Sequence, residues 1–186
     1  MAVNPKKRVR AAARVLTANL RLLSGKILHG RKLRFSPTTC LALSDAVELS
    51  LQGSLDLGSG LRTRGRCVFN VQGEGELTVG RNVFLNSGCQ LHCRSAISIG
   101  DGCEFGPNVL VYDHDHDYRG GGLKNGAYLL ADVTIGPNCW IGANTVILRG
   151  STIGEGSVIA AGCIIKGDVP AQTLVFQRRS SEVRHV

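Results

Sequence analysis

The sequence predicts an all-β fold, a parallel β-helix of hexapeptide repeats, on three observations. From Ile135 six consecutive hexads each open on isoleucine: IGPNCW, IGANTV, ILRGST, IGEGSV, IAAGCI and IKGDVP. Their fifth position is always small: Cys139, Thr145, Ser151, Ser157, Cys163 and Val169. Glycine is abundant, at 24 residues, while aromatics make up only 5%, so the core must consist of small aliphatic side chains between many tight turns. Six residues are too few for a helix–turn–helix unit, and β-branched residues with glycines favour a short strand and a turn. Such a unit buries its apolar residue only by stacking on the next one, as in a solenoid.

The N-terminal arm, residues 1–30, reads differently. In RVRAAARVLTANLRLLSGKIL, apolar residues recur at Val9, Ala13, Leu16, Leu20, Leu23 and Ile27, the spacing of an amphipathic helix. Arg8, Arg10, Arg14, Arg21 and Lys26 flank that stripe. The net charge of +8 is concentrated here: residues 1–44 carry ten Lys/Arg and no acid, and the other 12 basic residues face all 14 acidic ones. A basic amphipathic helix suits either of two places, which the sequence leaves open. One is an anionic membrane surface, contacted peripherally through residues 1–28 at the inner face of the cell membrane. The other is the β-helix itself or a neighbouring chain. A pI near 9.4 also suggests nucleic acid. No nucleic-acid motif or aromatic stacking platform accompanies the charge, so no such partner is expected. Arg21 interrupts the only early apolar run, so no signal peptide is expected, and no run approaches the roughly 20 residues that span a bilayer. Seven scattered cysteines without a CxxC point to free thiols in a reducing cytoplasm.

The β-helical domain is expected over residues 31–170, with a C-terminal tail over 171–186. A weak hexad frame runs from about Leu33 to Gln72. It becomes clear as VGRNVF, LNSGCQ and LHCRSA from Val79, and after a two-residue insertion as IGDGCE, FGPNVL and VYDHDH from Ile99. Cys89, Cys103, Cys139 and Cys163 take the small fifth position and read as corner packing. Cys40, Cys67 and Cys93 show no neighbour pattern of a nucleophile or zinc ligand, and all seven are expected to be structural.

The frame breaks in the hexad from Val111, where Tyr112, Asp113, His114, Asp115 and His116 replace glycine and small polar residues. A segment over 117–132, containing RGGGLKNG, follows before the repeat resumes near Val133. An excursion from a rigid solenoid is where function concentrates. In an extended strand His114 and His116 point one way and Asp113, Asp115 and Asp117 the other. Two imidazoles on one face could hold a metal only with a third, and His92 is the nearest candidate; no metal is expected.

From these residues the chain resembles the hexapeptide acyltransferases of left-handed β-helix fold. It is similar to their sugar O-acetyltransferases, which include the galactoside and maltose enzymes and, through a YDH-x-H turn, the capsule and colanic-acid type. The resemblance implies three hexads per triangular coil and a left-handed winding, opposite to the general rule for parallel crossovers. Roughly 140 residues at about 18 per coil then imply about eight coils and a prism roughly 35–40 Å long. Aligned without gaps from the PN of GPNV through KNG to TIGPNCWIG, His116 falls on the family's catalytic histidine. In the same register Asn86 falls on its active-site asparagine and Trp140 on the tryptophan of its WIG hexad. His114, Asp113, Tyr118 and Trp140 are then expected to line the acceptor pocket. Trp140, with Ala143 and Ala161 at small positions, is expected to hold the pantetheine arm. Lys166, Arg178, Arg179 and Arg184 are expected near the donor phosphates, although the family reads GVPAK where this chain has FQRRSSEV.

The chemistry stands beside that alignment. Moving an acetyl group from acetyl-CoA to an alcohol needs a base, and histidine titrates in the useful range. The Asn86 amide could bond the developing oxyanion or position the donor. Trp140, at an outward sixth position, needs a covering ligand or subunit. The expectation is an acetyl-CoA-dependent O-acetyltransferase of a sugar hydroxyl in surface polysaccharide biosynthesis, acting as a homotrimer with sites between chains. Acetylation of an amino sugar, serine or a xenobiotic remains open, as does a non-catalytic scaffold.

Overall fold

The computed structural model describes residues 5–119, 122 and 126–178, with side chains from residue 12 onward. Helix α1, Pro5–His29, lies across one end of a parallel β-solenoid that runs from Leu33 to Val175. Three flat faces make the prism. The first has seven strands, from Leu33–Phe35 to Asp168–Val169, and the other two have six each. The second face runs from Arg62–Thr63 to Leu174–Val175 and the third from Ala46–Leu49 to Ile164–Ile165.

The prism has about six coils rather than eight, because the excursion after Val111 takes eighteen residues out of it and its early coils are longer than three hexads. Leu33 pairs with Leu55 and Leu55 with Leu77, twenty-two residues on each time, and Leu77 then pairs with Ile97. Those coils use four-residue strands such as Ser54–Leu57 and Val68–Val71. From Trp140 onward every strand has two residues and Val146 pairs with Ile164, the eighteen-residue coil of the regular hexads.

Each hexad position has its own physical task. The opening isoleucines point inward, and Ile135, Ile141, Ile147, Ile153 and Ile159 are at most 1% exposed. The second-position glycines let successive coils touch: a Cβ on Gly142 would come within 2.5 Å of the Ala161 backbone nitrogen. The fourth position takes the left-handed conformation, which only asparagine and glycine adopt readily, as at Asn138, Asn144, Gly150 and Gly156. The fifth position is buried, and where it carries a polar hydrogen it donates to the next coil. Cys89 Sγ reaches Gly106 O at 3.2 Å, Cys139 Sγ reaches Gly154 O at 3.2 Å, and Thr145 Oγ1 reaches Ala160 O at 3.3 Å. Small size is the common requirement, since Val83 and Val109 fill the position without a donor. Cys67 belongs to this ladder one coil before Cys89, donating to Asn86 O at 3.2 Å, which the longer early coil hides in the sequence. All seven thiols are free.

The helix caps the open end of the first coil. Ala18 and Leu22 are buried on the prism. Arg14 donates to Thr63 O, Asn19 to Pro37 O, and Arg21 to the carbonyls of Ala42, Leu43 and Asp45 at 2.8–3.2 Å. These bonds satisfy backbone acceptors that a missing coil would otherwise satisfy. The face that packs is not the stripe picked out in the sequence: Leu16, Leu20, Leu23 and Ile27 are 51–89% exposed.

Candidate active site

Val111 lies on the last third-face strand before the excursion, and an eighteen-residue insertion separates its coil from the next. Val111 pairs with Leu91 behind it and with Ile147 ahead of it, so the whole excursion leaves from the edge between the third and first faces. It begins as an antiparallel hairpin, His114–His116 against Tyr128–Leu130, with His116 opposite Tyr128.

Asp113 anchors the hairpin. Its carboxylate is wholly buried and accepts bonds from the backbone nitrogens of Arg94 and Ser95 at 2.7–2.9 Å and from His114 Nδ1 at 2.8 Å. Burial alone would raise its pKa, but the bonds from His114 and the two amides outweigh burial and hold it below the ordinary carboxylate range. Asp113 is therefore a support for His114 rather than an acceptor contact. Asp115 pairs with Arg149 at 2.6 Å and Asp117 with Arg119 at 2.9 Å.

His116 is exposed, and its ring centroid lies 4.9 Å from that of Tyr128. The same tyrosine meets His114 edge-on at 5.5 Å and lies under the Arg94 guanidinium, 3.7 Å from its centroid. His116 has no hydrogen-bond partner among the described residues, so the aspartate that fixes an imidazole here fixes His114. Tyr112, His114, Asp115, His116 and Leu148 line a pocket of about 310 Å³. Asp115 shares this pocket with both histidines, against the strict alternation expected of a strand. His92 stacks on Tyr112 at 4.9 Å and bonds to Gln90 at 2.9 Å. Burial first, and the neighbouring His114 second, keep its pKa below the usual histidine range. Among the described residues no three histidine, cysteine, aspartate or glutamate side chains cluster as a metal site would require.

A second concavity of about 400 Å³ lies on another edge, between the second and third faces. It is lined by Gly106, Pro107, Trp140, Ala143, Ala160, Ala161 and Leu174 among others, nearly all apolar. Trp140 stands outward at 57% exposure, as its sixth position predicts. Asn86 occupies the same corner, since Leu85 pairs with Phe105 and Phe105 with Ile141. Its Oδ1 accepts from Ser87 N at 2.8 Å, which leaves the amide NH2 as a donor.

The expected residues thus fall into two groups within one chain. His116 and His114 share one edge, and Trp140, Ala143, Ala161 and Asn86 share another. Lys166 lies one coil beyond Leu148, on the histidine edge, since Ile147 pairs with Ile165. Tyr118 is 63% exposed and is not part of the histidine pocket; Tyr128 takes the position against the imidazoles. Arg178 is exposed near the end of the prism, and Arg179 and Arg184 lie outside the described residues. Tyr128, Arg94 and Arg149 were not singled out in the sequence. The one signal for Tyr128 was the short apolar run AYLL following the glycine-rich stretch, which fits a returning hairpin strand.

Comparison with known proteins agrees with this architecture. Residues 125–167 match the bacterial transferase hexapeptide (six repeats) model. The chain is a hexapeptide-repeat parallel β-helix, and its fold is similar to that of the left-handed β-helix acetyltransferases. It resembles the galactoside O-acetyltransferase of Escherichia coli K12, with 38% identity over 92 residues that cover 50% of this chain and 45% of that one. Among solved structures, a maltose O-acetyltransferase from Clostridium difficile is 27% identical at a TM-score of 0.50, covering 74% of this chain and 63% of that one. An N-acyltransferase from Bacillus cereus, in complex with dTDP-4-amino-4,6-dideoxyglucose and coenzyme A, superposes at a TM-score of 0.66. Its 16% identity, over 80% of this chain and 82% of that one, reflects shared fold. This hexapeptide-repeat chain spans about half the length of the curated relatives it matches.

Proposed function

We propose that the chain is an acetyl-CoA-dependent O-acetyltransferase acting on a sugar hydroxyl of the kind found in surface polysaccharides, with His116 as general base. The observation that carries this reading is the exposed imidazole on a hairpin that interrupts the hexad frame. The His116 imidazole takes the proton of an acceptor hydroxyl as the oxygen attacks the thioester carbonyl carbon. The tetrahedral intermediate collapses, the carbon–sulfur bond breaks, and the imidazolium returns the proton to the departing thiolate. Positioned base catalysis of this kind contributes roughly 10²–10⁴-fold. The Asn86 amide, its oxygen already occupied by Ser87, has a hydrogen to offer the oxyanion. The apolar groove beside Trp140, Ala143 and Ala161 suits a pantetheine arm, because small side chains leave room and Trp140 gains a cover. Lys166 and Arg178, with Arg179 and Arg184, are the cations for the donor phosphates.

A homotrimer completes the site by joining the histidine edge of one copy to the groove of the next. The outward ladders of the faces support it. The first face carries Thr78, Ser98, Thr134 and Thr152, a polar surface, while beyond Gln90 the third carries Leu110, Val146 and Ile164, and beyond Glu104 the second carries Trp140, Val158 and Leu174. An apolar ladder on the later coils of two faces out of three supports those as the covered ones.

Release of free coenzyme A from acetyl-CoA, screened over hexoses, disaccharides, amino sugars and serine, tests the proposal. Turnover with a sugar hydroxyl and at least about a 100-fold loss in His116→Ala are expected. No thiol release with any acceptor would leave a scaffold, and less than about a tenfold loss in the variant would remove His116 as base.

A further inference from the structure

Helix α1 has two apolar faces, and the solenoid uses only one. At about 100° per residue, Leu16, Leu20, Leu23 and Ile27 fall within an arc of roughly 60°, and the packed Ala18 and Leu22 lie on the opposite side of the axis. The unused stripe is the more apolar of the two. Leu20 is 58% and Ile27 89% exposed, and Leu28 beside them is 70% exposed.

The helix cannot turn this stripe inward. Its orientation is fixed by the guanidiniums of Arg14 and Arg21 and the amide of Asn19, all tied to solenoid carbonyls. Rotation would break those bonds and expose Leu22. The occupant must therefore come from outside and suit the charge. Ten Lys/Arg and no acid occur in residues 1–44, and Lys26, Arg31 and Lys32 are exposed around the end of the stripe. A second copy of this helix would bring the same excess of positive charge against itself. An anionic bilayer complements it, and no described helix is long and apolar enough to cross a membrane.

We infer that α1 lies on an anionic membrane surface, its Leu16–Leu20–Leu23–Ile27 stripe in the acyl boundary and its cations among the headgroups, with the solenoid carried on its other face. This contact is independent of the proposed acetyl transfer. It places the protein where an acceptor built on a lipid carrier would be presented.

The test is co-sedimentation of the full chain with phosphatidylcholine vesicles and with equimolar phosphatidylcholine–phosphatidylglycerol vesicles, at low and high salt. Binding to the anionic vesicles, weakened by salt, is expected, with little binding to the neutral ones. The double variant L20S/L23S should bind at least about tenfold more weakly while keeping the thermal unfolding midpoint, because both side chains face outward. His116→Ala should bind as the unmodified chain does, which separates this test from that of the reaction. Equal binding by L20S/L23S, or no binding to anionic vesicles, overturns the inference. A change of oligomer mass in L20S/L23S would instead assign the stripe to a second copy and also overturn it.

Discussion

The two concave edges of the prism differ in almost every respect that chemistry uses. The edge between the third and first faces is polar and titratable, with His114, Asp115 and His116 on a hairpin that leaves the coil. The edge between the second and third faces is apolar and regular, made of Trp140 and small residues that never leave the hexad frame. One supplies reactive groups without an enclosed space; the other supplies an extended slot without a base. The third face separates them, and no residue lines both. The rigidity that makes a solenoid a good platform also prevents one chain from folding these edges together, which is why the proposed site joins two copies side by side.

The sharpest way to break this contrast is complementation. His116→Ala and Ala161→Trp each remove one edge, and each alone should lose at least about 100-fold in coenzyme A release. Co-refolded in equal amounts, they should recover roughly a quarter of the unmodified activity, since that fraction of sites joins an intact edge of each kind in a cyclic assembly. Recovery no greater than the sum of the two variants would place the site within one chain.

A smaller effect concerns how the polar edge is held. Asp113→Asn should destabilise the chain by about 2–3 kcal/mol in thermal or urea unfolding, because an amide cannot accept from both backbone donors and His114 at once. Since the folded pKa of Asp113 lies below the ordinary value, its contribution is complete above about pH 4 and vanishes as pH falls through the lower folded value. The gap between variant and unmodified chain should therefore be constant near neutrality and close in acid. A gap that widens in acid would contradict the assigned ionisation.

The smallest effect belongs to the regular edge. Thr145→Val keeps the shape of the fifth position and removes its hydrogen, leaving Ala160 O without that donor, and should cost about 1 kcal/mol. Val83 and Val109 fill fifth positions without a donor, while Val169, which pairs with Ile153, takes the inward opening position instead, so the expected cost at Thr145 is that of its one bond. If Thr145→Val is neutral, size alone governs the fifth position.

The regular edge was almost wholly legible in the chain. Isoleucine spacing, small fifth residues and an outward Trp140 all follow from a six-residue period, and each reappears in the structure at the expected depth. The early coils were less legible because four-residue strands stretch the period to twenty-two residues, which hid Cys67 and inflated the coil count. The polar edge was legible only as an interruption. His114, His116 and Asp113 could be named from VYDHDHDY, but pairing Asp113 with His114 and bringing Tyr128 against both imidazoles required the hairpin to close.

The helix separates the two kinds of information most clearly. Sequence by itself determined that residues 5–29 would be helical and amphipathic, and that the following chain would stack in parallel coils, since both follow from periods written in one dimension. Only the tertiary structure decided which apolar stripe of the helix would be buried, because Ala18–Leu22 and Leu16–Leu20 have the same spacing. Arginines reaching unpaired carbonyls at the end of the prism selected between them. It also decided that the histidines and the apolar groove stand on separate edges, since a coil that cannot bend fixes the distance between residues that share it.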